Sequence, residues 1–174
     1  MTPDELYEQA LAQFGPALER LARSYEADSD RRRDLLQEIH FAMWSSFEHF
    51  QSQCSLRTWV YRVAHNVAAT HVIRDRRARS RTFVSLDEVA SFPEPRDSTI
   101  AFDRQNTTDR LYALIHQLKP LDREVILLYL EGMDAASIGE ISGISSGNVA
   151  TKIHRIKNML ADRFRQGGRD GRSR

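Results

Sequence analysis

The sequence has little of what disulfide-bonded, metal-dependent or membrane proteins need. Its 174 residues include a single cysteine, Cys54, which excludes an internal disulfide and a cysteine-based zinc cluster. No apolar run approaches the roughly 18 residues of a membrane span, and the N-terminus has no basic-then-apolar signal pattern. We therefore expect a protein of the reducing cytoplasm that is not inserted in a membrane and holds no metal or cofactor.

The motifs of common enzyme active sites are also missing. There is no glycine-rich phosphate loop, no HExxH pair and no nucleophile elbow. His65 and His71 share a predicted helix, but a spacing of six places them on different faces. Cys54 lies in a polar loop, where a thiol is either incidental or open to oxidation. The sequence predicts a protein without catalytic activity.

Charge, by contrast, is abundant and unevenly distributed. The net charge is only +1, yet residues 1–50 carry five Lys and Arg against ten Asp and Glu, and residues 51–81 carry seven against one. Residues 82–106 are acidic again, and residues 107–174 hold eleven Lys and Arg against eight Asp and Glu. Two basic zones separated by an acidic segment favour two contacts with one polyanion. Ordinary solvated surface charge remains the alternative.

Every clear hydrophobic pattern in the sequence has the period of a helix. The predicted fold is all-α, with two small helical domains joined by a linker, the second a helix-turn-helix. We assign 1–81 to the first domain, 82–106 to an acidic linker, 107–166 to the second domain and 167–174 to a disordered tail. Gly15-Pro16 predicts a break between two helices, and Ser55 a cap for a long helix ending near residue 79.

Residues 132–160 predict two short helices joined by a tight turn. Asp134 is a good N-cap for the first helix, Gly143 can take the left-handed conformation that ends it, and Ser145 can cap the second. The second helix has an apolar stripe formed by Val149, Ile153, Ile156 and Leu160.

A polar face lies about 110° from that stripe. It comprises Asn148, Thr151, Lys152 and Arg155. Such side chains can reach base edges and phosphates when a helix lies in the DNA major groove. A plain helical hairpin with a solvated basic face is the alternative from these residues alone.

Several motifs in a fixed order give the chain a family resemblance. They are DLLQE at 34–38 with Trp44 after it, SLRTWVYRVAHNVA at 55–68, LKPLDREV at 118–125, LEGM at 130–133 and GISSGNV at 143–149. Together they resemble the bacterial RNA polymerase sigma factors of the small extracytoplasmic-function group. The resemblance spans nearly the whole chain and implies a factor that binds core RNA polymerase and directs promoter recognition, DNA melting and initiation.

The resemblance also implies three sets of site residues. Core polymerase would be bound by Asp34, Leu35, Gln37, Glu38 and Trp44. Leu35, its neighbour Leu36 and Trp44 would form the hydrophobic part of this contact. The minus-ten element would be held by Gln51, Ser52, Arg62, Asn66, Arg74, Arg76 and Arg77, with Asn66 helping to read a captured base. The minus-thirty-five element would be contacted by Ser145, Ser146, Asn148, Thr151, Lys152 and Arg155. Trp59 could stack on DNA or lie in the core, and the core is favoured.

Some positions depart from the family pattern. Ala150 stands where a basic residue is usual, Gly139 replaces a better helix former, and Ala136 and Ser137 lack the usual acidic pair. The loop FQSQC at 50–54 lacks a frequent glycine. These departures bear on which promoter is read.

Two other functions remain open on the sequence. A stand-alone helix-turn-helix regulator would explain residues 132–160, and a helical adaptor would bind a protein partner and no DNA. Members of the family are commonly held by an anti-sigma factor, although nothing in the sequence identifies one.

Overall fold

The computed structural model describes residues 2–82 and 100–170, and all the elements it describes are helical. The helices are α1 (Pro3–Tyr25), α2 (Ser29–Ser46), α3 (Leu56–Thr82), α4 (Ile100–His116), α5 (Pro120–Leu130), α6 (Ala135–Ser142) and α7 (Ser146–Asp170). A 3₁₀ turn, Phe47–His49, follows α2. The all-α prediction, with a helix-turn-helix at α6 and α7, is confirmed.

Helix α1 runs without interruption through Pro16, so the predicted break at Gly15-Pro16 is wrong. A proline inside a helix removes one backbone hydrogen bond and costs about 3 kcal/mol. The helix continues because its apolar face packs against α2 and α3 on both sides of Pro16. That face buries Ala10, Ala17, Leu18, Leu21 and Tyr25.

Helices α1, α2 and α3 form a bundle around a shared core. Leu18, Leu35, Ile39 and Val60 are wholly buried there. Asp28 caps α2 by accepting hydrogen bonds from the amides of residues 30 and 31, at 3.0 Å each. Asp28 is one of the short polar residues favoured at helix N-termini.

Helix α3 is buried on more than one face. His65 and His71 are both buried, although their spacing of six predicts that they lie on different faces of the helix. The discrepancy arises because α3 contacts α1, α2, α5 and α6, which cover more than one of its faces. Single-helix periodicity cannot indicate that environment.

The C-terminal half is built as its end signals predict. Asp134 accepts from the amides of Ala136 and Ser137 at 2.9 Å, Gly143 ends α6 with φ of 74°, and the Ser145 hydroxyl accepts from the Asn148 amide at 3.3 Å. Leu118, Ile126, Ile156 and Leu160 form a buried cluster between α5 and α7.

The helices extend beyond two of the predicted boundaries. Helix α4 begins at Ile100, inside the range 82–106 assigned to the linker, and α7 reaches Asp170, inside the predicted disordered tail. Once a helix is nucleated, each further residue adds a hydrogen bond at little cost, which explains the extra turns. Residues 83–99 and 171–174 lie outside the described residues, and the division into domains stays a prediction.

The two halves of the chain contact each other through Glu131, the residue that ends α5. Its carboxylate accepts two hydrogen bonds from Arg20 of α1, both 2.7 Å, and one from the Tyr61 hydroxyl of α3 at 3.4 Å. Its backbone carbonyl accepts from Arg57. Arg23 of α1 also pairs with Asp109 of α4. The interface therefore joins the N-terminal cations to the C-terminal helices.

Candidate nucleic-acid interface

Helix α7 presents the polar face predicted for contact with DNA. Its apolar stripe faces the core, with Val149 and Ile156 wholly buried, Leu160 nearly so and Ile153 partly covered. The side chains of Ser145, Ser146, Asn148 and Thr151 are exposed. Burial of one stripe thus fixes the rotation of α7 and turns these polar groups outward.

Two of the predicted contacts on α7 already have partners within the protein. The Asp122 carboxylate on α5 accepts from Lys152 Nζ at 2.6 Å and from Arg155 Nη2 at 2.9 Å. The Lys152 side chain is only 25% exposed, whereas that of Arg155 is 64% exposed. Neither side chain lies in the core, but the two differ in their access to DNA.

The turn of the helix-turn-helix is unusually tight at Gly139. A Cβ atom at this position would lie 2.6 Å from the backbone carbonyl oxygen of Ile144. The glycine therefore allows a close approach between α6 and the turn before α7. Its weak helix propensity is offset by this packing role, which the sequence alone does not reveal.

The loop before α3 and the exposed face of α3 form the region assigned to the minus-ten element. Gln51, Ser52 and Asn66 are exposed, and Ser52 adopts a positive φ of 55°. Arg77 is exposed near the end of α3. The side chain of Arg76 lies outside the described residues. These groups form a polar and cationic surface of the kind that single strands require.

Two further residues predicted to contact the minus-ten element have partners within the protein. Arg62 Nη2 donates to Glu140 Oε1 of α6 at 2.9 Å, and Arg74 Nη2 donates to Glu38 Oε1 of α2 at 2.6 Å. The second pair links a predicted DNA contact to a predicted polymerase contact. Each carboxylate bond uses Nη2 of its arginine, and the Arg74 side chain remains 59% exposed while that of Arg62 is 32% exposed.

Trp59 packs within the protein, as the favoured of its two interpretations predicts. It is partly buried, donates from Nε1 to the Ser46 hydroxyl at 2.9 Å, and lies 5.3 Å from the Phe50 ring. These contacts orient the loop that follows Phe50 toward the start of α3. Trp59 therefore supports the candidate interface from behind.

A separate exposed surface lies on α2. Asp34 and Gln37 are exposed, whereas Leu35 is wholly buried and can only support this surface from inside. Trp44 is exposed and donates from Nε1 to Asp4 at 2.8 Å.

Phe41, which the sequence motifs did not single out, is 70% exposed on the same helix. Its spacing of four from Gln37 and three from Trp44 was the available signal. Exposed aromatic rings beside polar groups are typical of a protein-binding surface.

Burial controls the titration of the groups near these surfaces. It lowers the pKa of His65 to about 3, and it raises the pKa of the Cys54 thiol above its usual value. The Cys54 thiolate is therefore disfavoured, which argues against a reactive cysteine in the loop.

Neither a metal centre nor a membrane span is found among residues the structure describes. No group of three or more His, Cys, Asp or Glu side chains is arranged to hold a metal ion in that part of the chain. None of its helices is both long and apolar enough to cross a bilayer.

Two family models match the chain, in the order in which the two surfaces occur. Residues 11–79 match the model described as Sigma-70 region 2, and residues 108–160 match Sigma-70, region 4. The first match includes the exposed face of α2 and most of α3. The second includes Asp122 and the polar face of α7.

Individual proteins give the same relationship. The chain is 26% identical over 157 residues to the ECF RNA polymerase sigma factor SigE of Mycolicibacterium smegmatis, covering 90% of this chain and 60% of the relative. It is 28% identical over 149 residues to the ECF RNA polymerase sigma factor SigG of Mycobacterium tuberculosis, covering 73% of this chain and 40% of the relative. The chain thus spans about half the length of these relatives.

A solved structure supports the fold. The sigma factor RpoE of Bartonella quintana, in complex with the anti-sigma factor NepR, superposes with a TM-score of 0.65 at 23% identity, covering 90% of this chain and 94% of that one. With both family regions matched in order, the chain belongs to the extracytoplasmic-function group of bacterial RNA polymerase sigma factors.

Proposed function

We propose that the protein binds core RNA polymerase and directs it to promoters, where it helps to open the DNA and start transcription. The observation that carries this proposal is the polar face of α7, held outward by a buried stripe. It lies in the same chain as a second, basic surface on α3. A protein that reads only duplex DNA has no need of the second surface.

The α2 surface is the proposed contact with core polymerase. Asp34 and Gln37 would supply polar contacts, and Phe41 and Trp44 would supply the apolar centre. Large aromatic side chains carry much of the energy in protein interfaces. Leu35 holds this face in position by packing in the core. Glu38 forms an ion pair with Arg74. This pair would couple the polymerase contact on α2 to the proposed minus-ten surface on α3.

The loop at 50–54 and helix α3 are the proposed contacts with the melted minus-ten strand. Single-stranded DNA needs cations along its backbone and a pocket for an unstacked base. Arg62, Arg74 and Arg77 would provide the cations, and Asn66 would read the base. Arg76 is retained in this set on the resemblance alone.

Helix α7 is the proposed reader of the minus-thirty-five element. Asn148 and Arg155 are exposed and can hydrogen-bond base edges or phosphates. Ser145 and Ser146 lie at the helix N-terminus, where amides and hydroxyls favour a phosphate. Weak binding to the minus-ten and minus-thirty-five elements by one chain gives stronger binding overall. Once one element is bound, the effective concentration of the chain at the other element is raised.

On this proposal the protein acts in the cytoplasm and catalyses no reaction itself. The polymerase supplies the chemistry, and the factor supplies selection and DNA opening. An anti-sigma factor is the expected regulator, because the similar RpoE structure is a complex with NepR.

Co-purification with core polymerase, followed by promoter binding, tests the proposal. Asn148→Ala with Arg155→Ala should keep polymerase binding while weakening promoter binding, at about 1–3 kcal/mol for each base edge that is no longer hydrogen-bonded. Removing a cation that binds a phosphate should also reduce the salt dependence of binding. Arg165→Ala, which removes an exposed cation of α7 outside the predicted face, is the matched control.

The results separate the proposal from its two rivals. A stand-alone regulator would bind DNA without retaining polymerase, and an adaptor would be insensitive to the double substitution. Either result would contradict the sigma-factor assignment of these surfaces.

A further inference from the structure

Asp122 lies in the first turn of a helix, where acids are favoured, but it is buried to an extent that is rare for a carboxylate. It is the third residue of α5 and only 8% exposed, and it lies beneath the cations of α7. Each carboxylate oxygen accepts a hydrogen bond from a different cation. Oδ1 accepts from Lys152 at 2.6 Å, and Oδ2 accepts from Arg155 at 2.9 Å. One buried anion thus controls both of the cations assigned to the DNA-reading face.

The two cations are held in different ways. Lys152 is three-quarters covered and points its compact ammonium group at Oδ1. Arg155 bonds to Oδ2 through Nη2, while most of its side chain remains exposed. Because a guanidinium carries five N–H donors in a rigid fork, one bond to Asp122 fixes its orientation and leaves donors for DNA. A lysine held in this way has no comparable rigid fork to present.

Docking of α7 on α5 does not require a carboxylate at this position. The apolar cluster of Leu118, Ile126, Ile156 and Leu160 already joins α5 to α7. A buried ion pair is often no more stabilising than apolar side chains of similar volume. The position of Asp122 between the two cations predicted to contact DNA therefore points to a role in recognition.

We propose that Asp122 is a positioning residue that sets the DNA specificity of α7. It holds the Arg155 guanidinium toward the duplex and keeps Lys152 away from the phosphates. Contacts that depend on base sequence then contribute more to the DNA-binding free energy than contacts that do not. The inference rests on the proposed minus-thirty-five reading by α7.

The test compares Asp122→Asn with the unchanged protein, each assembled with core polymerase. The probes are a duplex selected from a randomised library by the unchanged protein and a scrambled duplex of the same composition. We expect the affinity ratio between the duplexes to fall about ten-fold, on the order of one well-made base contact. We also expect the salt slope on the scrambled duplex to steepen by about 0.9, the value for one added phosphate contact.

Two double variants assign these effects to the two cations. Adding Lys152→Ala to Asp122→Asn should return the salt slope to its original value, because the released lysine is the added phosphate contact. Adding Arg155→Ala to Asp122→Asn should lower the affinity ratio little further. Asp122→Glu keeps a carboxylate, so its affinity ratio between the selected and scrambled duplexes should fall less than that of Asp122→Asn. Asp162→Asn removes an exposed α7 carboxylate paired with Arg165 and is the control.

The possible failures are distinguishable. If the unchanged protein selects no sequence from the library, the proposed function fails. If it selects one and Asp122→Asn keeps both the ratio and the salt slope, the positioning role is overturned. Thermal unfolding reports the folded fraction of each variant, and a change in DNA binding that this fraction fully explains would also overturn the role.

Discussion

Gly139 determines how closely α6 approaches the turn of the helix-turn-helix. The structure leaves no room there for a side chain, because an added Cβ would lie 2.6 Å from the Ile144 carbonyl oxygen. That oxygen belongs to the backbone and cannot move aside as a flexible side chain can. The polar face of α7 therefore depends on one small residue outside it.

Gly139→Val should lower the free energy of unfolding by about 1–3 kcal/mol, the usual cost of overpacking. Because α6 or the turn must move, binding of minus-thirty-five DNA should weaken as well. Chemical denaturation and duplex binding measure the two effects. Gly147→Ala is the control, since nothing lies within 4 Å of its added Cβ. A Gly139→Val variant as stable as the unchanged protein would contradict the packing role.

Helix α3 carries a buried histidine that links its stability to pH. His65 Nδ1 lies 2.9 Å from the Tyr25 hydroxyl, and Nε2 has no hydrogen-bond partner in the described part of the chain. Burial lowers the pKa of His65 to about 3, below the usual value of 6.5. The folded protein therefore keeps this imidazole neutral where the unfolded chain takes up a proton.

The free energy of unfolding should consequently fall as pH drops below 6.5. The loss should approach about 1.4 kcal/mol per pH unit, or about 1.5–2 kcal/mol between pH 6.5 and 5. Burial also lowers the pKa of His116, which adds to this slope, and raises the pKa of Glu124, which opposes it at lower pH.

Denaturation at several pH values checks the contribution of His65. His65→Gln should flatten the slope, whereas His154→Gln, at an exposed position of α7, should leave it unchanged. An equal slope in the His65→Gln variant would contradict the assignment.

Helix α2 carries the exposed aromatic surface proposed to bind polymerase. Phe41→Ala with Trp44→Ala should weaken binding to core polymerase about 30-fold or more, because truncated aromatic hot spots cost about 2 kcal/mol or more. Thermal stability should fall only modestly, because Phe41 is 70% exposed, whereas Trp44 is 45% exposed and also loses its hydrogen bond to Asp4. Ile73→Ala, an exposed apolar position on α3, is the control for polymerase binding. Unchanged polymerase binding by the double variant would place the contact elsewhere.

At the scale of helices, the sequence predicts what depends on neighbours along the chain. Asp134, Gly143 and Ser145 all form the predicted helix ends, because a cap involves only a few adjacent residues. The continuity of α1 through Pro16 depends on packing against α2 and α3, which no local pattern records.

The same distinction applies to the candidate site. The exposure of Asn148 and Thr151 follows from the apolar stripe of α7, so it was predictable. The pairing of Lys152 and Arg155 with Asp122 was not, because those partners are about 30 residues apart in sequence.

At the scale of the whole molecule, Glu131 joins the two halves. Its side chain is largely covered and accepts from Arg20 and Tyr61, while its carbonyl accepts from Arg57. Such long-range polar contacts help to set the relative position of the two surfaces proposed to bind the minus-ten and minus-thirty-five elements. The sequence predicted both surfaces but contained no signal for this contact.

Glu131→Ala should loosen the contact between the halves. Arg20 is half exposed, so solvent screening limits the loss to about 1 kcal/mol or less, still up to about a five-fold change in an opening equilibrium. Small-angle X-ray scattering should show a larger radius of gyration. Glu8→Ala, an exposed change on α1, should not alter it. Identical scattering from the Glu131→Ala variant would show that this contact does not hold the halves together.

The most direct measurement is transcription by core polymerase on a library of genomic fragments, with and without the protein, and with start sites mapped. The account predicts that the protein adds a set of start sites preceded by two shared sequence elements at a constant separation. It also predicts that these sites disappear with Phe41→Ala plus Trp44→Ala and weaken with Asn148→Ala plus Arg155→Ala. Start sites identical to those of core polymerase alone would contradict it.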